Sequence, residues 1–129
     1  IQKRMAINKK FFFDTYALFE IVHKNPDYSS YIKNIGIITT KLNLMELHYR
    51  LLSLYGKEIA NIAFERFLSF CIDFLNEDIK DANEFKLLNK KAKLSYIDCL
   101  GYMIAKKRNV KFLTGDKEFK DRVNVEFVK

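Results

Sequence analysis

The 129-residue chain has no apolar run long enough to span a bilayer, and no charged segment followed by a short apolar one of the kind that forms a secretory signal. Both absences predict a cytoplasmic protein with no membrane partner. Cysteine is scarce. Cys71 and Cys99 lie in apolar stretches and read as reduced core residues, not as a disulfide framework or a zinc site. His23 and His48 have no cysteine or histidine at ligand spacing, which argues further against zinc. No repeat, low-complexity segment or long linker divides the chain, so residues 1–129 read as one domain, large enough to bury a core. Ile1-Gln2-Lys3-Arg4, ahead of Met5, reads either as an added remnant or as a native extension.

Hydrophobic residues make up 49% of the chain, which excludes a disordered protein. Lysine and arginine outnumber the acids, for a formal charge of +7. Removing Lys3 and Arg4 still leaves +5, so the basic bias does not depend on them. Such a balance favours an anionic partner, nucleic acid first. Lys9, Lys10, Lys106, Lys107 and Arg108 are candidates for contact with a nucleic-acid backbone, against the plainer reading of a solvated charged surface.

The sequence is organised around Phe11-Phe12-Phe13-Asp14-Thr15-Tyr16-Ala17. Three successive aromatics read as a strand buried on both faces, as in a parallel sheet. A carboxylate at the end of such a strand stands where open α/β sheets bind ligands. Asp14 and Thr15 are also helix-opening residue types. Alone, Asp14 is better explained by a cap than by a metal site, with Thr15 the other candidate for the helix start.

Further along, the spacing predicts a helix to His23, a stop at Asn25-Pro26-Asp27 and a short helix opened by Pro26. Ile37-Ile38-Thr39-Thr40 reads as a second strand. Asn43 reads as the cap of a helix over 44–55, with Leu44, Leu47, Leu51 and Leu52 inward and Gly56 as its stop. A helix over 57–70 follows, with Ile59, Ile62, Ala63, Phe67 and Phe70 as its apolar face, then a short strand over 71–75 and a helix from about Asn76 to Lys90. Ser95 and Asp98 form a capping-box pattern for the next helix. Val110–Thr114 reads as a strand, Gly115-Asp116 as a turn into one helical turn, and 123–128 as an edge strand. Strands alternating with helices predict an α/β fold with a parallel sheet covered on both faces.

Four acids fall where a strand has ended or the next helix has just begun: Asp14, Glu46, Asp98 and Asp116. In a parallel sheet those positions converge on the carboxyl edge. Any one of them is explained by a helix dipole or a turn. Four together are better explained by a cation between them, because like charges at one site raise one another's pKa. Oxygen ligands alone select Mg²⁺ or Mn²⁺. Such an ion acidifies water and neutralises charge on a phosphoryl group. A basic surface with an acidic metal cleft points to an enzyme that cuts nucleic acid.

These segments resemble the PIN-domain ribonucleases, most closely the small VapC-type toxins of toxin–antitoxin pairs. Phe13-Asp14-Thr15 is similar to the family's opening strand and first acid, and Asn43-Leu44-Met45-Glu46-Leu47 to the segment with its second. Ser95-Tyr96-Ile97-Asp98-Cys99-Leu100 resembles the segment carrying the third, and Leu113-Thr114-Gly115-Asp116-Lys117-Glu118-Phe119 the last motif. The resemblance covers about Lys10 to Val128. It implies a three-layer α/β/α sandwich with a mainly parallel central sheet and a metal-dependent endoribonuclease. Mg²⁺ or Mn²⁺ is then held by Asp14, Glu46, Asp98 and Asp116, with Thr114 ordering the site. It also implies an RNA substrate, a homodimer and a cognate antitoxin. Glu118 stands where the family often has Asp, a candidate fifth acid. Many relatives carry Ala where this chain has Cys99 and Gly101; both changes are small enough to preserve packing, and Gly101 costs about 1 kcal/mol of helix stability relative to Ala. A PIN nuclease of RNA processing and a catalytically silent module on the same fold fit the same residues. A phosphoacceptor receiver domain fits them poorly.

Overall fold

The computed structural model describes residues 9–33 and 35–129; Ile1–Arg4 lie outside the described residues. Strand β1 spans Lys9–Phe13 and passes through Asp14 into helix α1, Thr15–Val22. A 3₁₀ segment, Pro26–Ile32, leads to β2, Ile35–Ile38. Then come α2, Lys41–Tyr55, α3, Lys57–Phe67, a 3₁₀ turn at Leu68–Phe70, α4, Asn76–Leu88, and α5, Tyr96–Lys107. Strand β3 is Lys111–Thr114, a 3₁₀ turn spans Lys117–Phe119, and β4 is Val125–Phe127. The strands form one sheet in the order β2-β1-β3-β4, every pairing parallel.

Alternation along β1 divides the core. Phe11 and Phe13 enter a cluster with Leu18, Leu44, Leu51 and Phe67 from α1, α2 and α3. Phe12 points to the opposite face, among residues of α4 and α5. Side chains on a strand alternate faces with a period of two, so three consecutive phenylalanines supply both cores of the α/β/α sandwich at once. Among the described residues, no helix is long and apolar enough to cross a membrane.

Several local expectations change. Strand β2 starts at Ile35, because its register places Ile35 opposite Lys9 and Ile38 opposite Phe12. Thr40 is thereby left as the cap of α2, its Oγ1 accepting from the Asn43 amide at 3.3 Å, while Asn43 lies inside the helix. The stretch 71–75 is not a strand. It makes a single parallel bridge, Thr39 to Cys71, because β2 has ended before that segment arrives. The inward face of α3 is narrow, at Ala60, Ala63 and Phe67, so Ile59 and Ile62 face outward, as does Leu52 of α2. Gly56 does end α2, with φ at +93°, a conformation that only glycine adopts without strain.

Gly101 has a steric reason that its helix propensity hides. An added Cβ would stand 2.7 Å from Cε1 of Phe12 and 3.2 Å from Cε1 of Phe112. Those two buried rings stack with centroids 5.8 Å apart and have nowhere to retreat. Gly101→Ala is therefore expected to destabilise the protein by about 1–3 kcal/mol, the usual range for overpacking, instead of gaining the ~1 kcal/mol that helix propensity favours. Thermal unfolding of the variant measures the sign directly.

Candidate active site

Asp14 sits where β1 ends, its amide donating to the Leu113 carbonyl of β3 at 3.2 Å. It is nearly inaccessible, and its Oδ1 accepts from the Ala17 amide at 2.8 Å, so Asp14, not Thr15, caps α1. This frees the Thr15 hydroxyl, which donates to Glu46 Oε1 at 2.5 Å across 31 residues of sequence. Asp98 is held at the start of α5 by the expected capping box: its Oδ2 accepts from the Ser95 amide at 3.1 Å, and Ser95 Oγ accepts from the Asp98 amide at 3.0 Å. Asp116 follows β3 across Gly115. Its amide donates to Thr114 Oγ1 at 3.0 Å, and its Oδ1 accepts from the Glu118 amide at 3.0 Å.

All four acids line one open pocket of about 410 Å³, together with Thr15, Tyr16, Tyr49 and Arg50. Thr114 is fully buried and its side chain hydrogen-bonds the Asp14 carboxyl. The Glu118 side chain is outside the lining, and its part here is the backbone amide held by Asp116.

The acids act on one another. Burial pushes the Asp14 carboxyl up to about 8, and the charges of Asp98 and Asp116 push the same way, while Thr114 and the Ala17 amide work against them. Burial also lifts Asp98 to about 6, helped by Glu46 and Asp116 and opposed by Ser95. In the metal-free protein Asp14 therefore holds a proton at neutral pH. A cation in the pocket reverses the like-charge contributions and offsets the desolvation.

The donor set, carboxylate oxygen throughout, fits a hard divalent ion. Among the described residues no three carboxylate, imidazole or thiolate groups are drawn together closely enough to hold a metal as they stand. Each acid instead points one oxygen at a local donor: Ala17, Thr15, Ser95 or Glu118. Magnesium sites commonly use one or two carboxylates and complete their shell with water, so separated carboxylates remain compatible with such an ion.

The candidate basic residues lie elsewhere. Lys9 and Lys10 open β1, roughly 13 Å or more along the strand from Asp14. Lys106, Lys107 and Arg108 close α5, about 12–15 Å along its axis from Asp98. All five stand at the amino edge of the sheet, opposite the acids. Lys107 is also engaged, its Nζ 2.5 Å from Asp81 Oδ2 and 2.9 Å from Asp78 Oδ1, contacts that push its pKa up to about 12.

A family model described as PIN domain matches residues 11–124. The chain belongs to the PIN domain family. Solved structures share its fold. The toxin VapC20 of Mycobacterium tuberculosis, described as cleaving the sarcin–ricin loop, superposes with a TM-score of 0.77 at 16% identity, over 92% of this chain and 99% of that one. VapBC2 of Rickettsia felis, solved bound to a DNA fragment from its promoter, gives 0.68 at 23% identity, over 92% and 97%. A toxin–antitoxin complex from Klebsiella pneumoniae gives 0.67 at 14% identity, over 89% and 94%. No curated protein matches the chain.

In this PIN domain a hydrogen-bond chain that the sequence pattern did not reveal runs behind the acidic pocket. Thr40 Oγ1 donates to Asn43 Oδ1 at 2.7 Å, Asn43 Nδ2 donates to Thr15 Oγ1 at 3.2 Å, and Thr15 donates on to Glu46. The buried Asn43 thus fixes the direction of the Thr15 hydroxyl and, through it, the Glu46 carboxylate. The only sequence signal for this was a pair of polar residues at helix-cap spacing, which is fully accounted for by the cap itself.

Proposed function

We propose that this PIN domain is a Mg²⁺- or Mn²⁺-dependent endoribonuclease that hydrolyses RNA phosphodiester bonds, acting as the toxin of a VapBC-type pair. The observation that carries the reading is the convergence of Asp14, Glu46, Asp98 and Asp116, from four separate segments, on one pocket at the carboxyl edge of the sheet. Three of the structures sharing this fold are described as a toxin, a toxin–antitoxin pair or a complex of one, which supports the biological role.

Asp14, Glu46, Asp98 and Asp116 are the residues that would hold the ion, which when bound supplies charge neutralisation at the phosphoryl group and acidifies water. The chain's own work is orientation. Ala17 and Ser95 amides hold Asp14 and Asp98, Thr15 and Asn43 aim Glu46, and Thr114 fixes the turn that carries Asp116. Without a cation the ionised acids of the pocket repel an incoming phosphate, so cleavage is expected to stop on adding EDTA and to return with Mn²⁺ or Mg²⁺. Thermal unfolding is expected to move upward with Mn²⁺ in the same samples, because a ligand that binds only the folded state stabilises it. RNA cleavage that proceeds equally in EDTA sinks the assignment. Met45, Leu52, Ile59 and Ile62, apolar and exposed on α2 and α3, offer a surface for an antitoxin or a second copy. Co-expression with the product of an adjacent short reading frame tests the toxin role, the expected result being a stable complex with suppressed cleavage.

A further inference from the structure

We infer that Tyr49 and Arg50 form a subsite for an unpaired nucleotide beside the acidic pocket, Arg50 holding a backbone phosphate and Tyr49 stacking on a base. This rests on the reading of the site as one that acts on RNA. Both residues line the pocket with the four acids, and Arg50 is the one cation among its lining residues. They lie three and four positions after Glu46 on α2, so the helix presents them on the same side as that carboxylate, about one turn along.

Their present contacts leave both available. Glu46 and Arg50 have the i,i+4 spacing at which a helix commonly forms an ion pair. Among the described residues no such pair forms, because Glu46 receives the Thr15 hydroxyl and the Arg50 guanidinium lies 4.2 Å over the Phe19 ring. The ring holds the guanidinium beside the pocket, and among the described residues its N–H donors make no hydrogen bond. Tyr49 is 73% exposed, a large aromatic surface at the edge of a polar pocket. The ionised carboxylates of the pocket alone repel a polyanion, and the remaining basic candidates are at the far edge of the sheet. A local guanidinium, which binds phosphate through paired N–H donors, answers that repulsion where the chain must enter. A flat tyrosine next to it suits a base that has left its stack, the common mode of single-stranded recognition. A base in a duplex keeps both faces covered, so the pair selects loops and single strands.

The test measures fluorescence anisotropy of a labelled single-stranded oligoribonucleotide and of its duplex, in EDTA, for the native chain and for Arg50→Ala, Arg50→Lys, Tyr49→Ala and Tyr49→Phe. Arg50→Ala is expected to weaken single-strand binding about tenfold or more and to flatten the salt dependence by the ~0.7 that one phosphate contact contributes. Tyr49→Ala is expected to lose about five- to a hundredfold, with Tyr49→Phe close to native, as stacking requires. Duplex affinity is expected to change little in the tyrosine variants. Both residues are exposed, so thermal unfolding should shift little, by no more than the loss of the Arg50–Phe19 contact, and serves as the folding control. Native-like affinity in both alanine variants overturns the inference, even if metal-dependent cleavage is intact. Loss of single-strand binding in a protein that never cleaves RNA supports the subsite and removes only the nuclease reading.

Discussion

Asp14→Asn is expected to abolish RNA cleavage and, in EDTA, to make the protein more stable above neutral pH. The two effects share one cause. The carboxyl is buried, and burial with the nearby charges of Asp98 and Asp116 raises its pKa from 3.8 to about 8. For such an acid the folded state binds the proton more tightly than the unfolded chain does. Stability is then fully present below about pH 4, falls as pH rises towards 8, and is flat above. At about 1.4 kcal/mol per pH unit over that window, the loss amounts to several kcal/mol. Asparagine cannot ionise, yet its oxygen can still accept from the Ala17 amide, so the cap survives. Native and variant are therefore expected to melt together near pH 4 and to separate progressively up to pH 8, with the variant higher. Adding Mn²⁺ should narrow the gap, because the native pocket offers the ion one more carboxylate than the variant does. Cleavage should fall by at least the ~100-fold associated with changes to the groups around a metal's direct ligands. A variant that cleaves RNA normally, or a gap that does not grow with pH, refutes the account.

The double role of Asp14 also explains how far the sequence could be read. Each acid was visible because it stands at a strand–helix junction, and a parallel sheet brings those junctions to one edge. Three consecutive phenylalanines signalled a strand with two covered faces, and both cores are built on them. What stayed hidden depends on long-range contacts. Thr15 looked like a helix opener, but its hydroxyl is taken by Glu46 31 residues away. Asn43 looked like a cap, but the cap is Thr40, three residues earlier, and the side-chain bonds of Asn43 run to Thr40 and Thr15. Residues 71–75 have strand-like composition and no partner edge beyond a single bridge. The basic run 106–108 could have been placed from its spacing: it comes more than two helical turns after Asp98, on a helix that leads away from the carboxyl edge. Arg50 and Tyr49 had the matching signal, helical spacing from Glu46, but they read as ordinary surface residues until the pocket joined them to the acids.

Gly115→Ala is expected to be as damaging as loss of an acid, although it removes no functional group. Gly115 separates Thr114 at the end of β3 from Asp116 in the pocket. An added Cβ would fall 2.2 Å from Cε1 and 2.6 Å from Cζ of Tyr16, and 2.5 Å from the Val128 carbonyl oxygen. The tyrosine ring could rotate, but the carbonyl belongs to a backbone whose amide donates to the Thr114 carbonyl at 2.9 Å. One methyl group therefore presses β3, the residues after β4 and the start of α1 apart at once. Overpacking of this kind costs about 1–3 kcal/mol and sometimes more, and a backbone contact places this site at the upper end. Displacing the turn also moves Asp116, and a shift of about 1 Å in a reacting geometry costs on the order of a hundredfold in rate. Urea unfolding should show the lowered midpoint, and cleavage at a temperature where the variant is fully folded should show the rate loss separately. Combining Gly115→Ala with Tyr16→Ala removes the ring but not the carbonyl, so the pair is expected to recover part of the stability and to be less unstable than the two single changes added together. Full recovery would assign the clash to the ring alone, and simple additivity would show that the two residues do not meet.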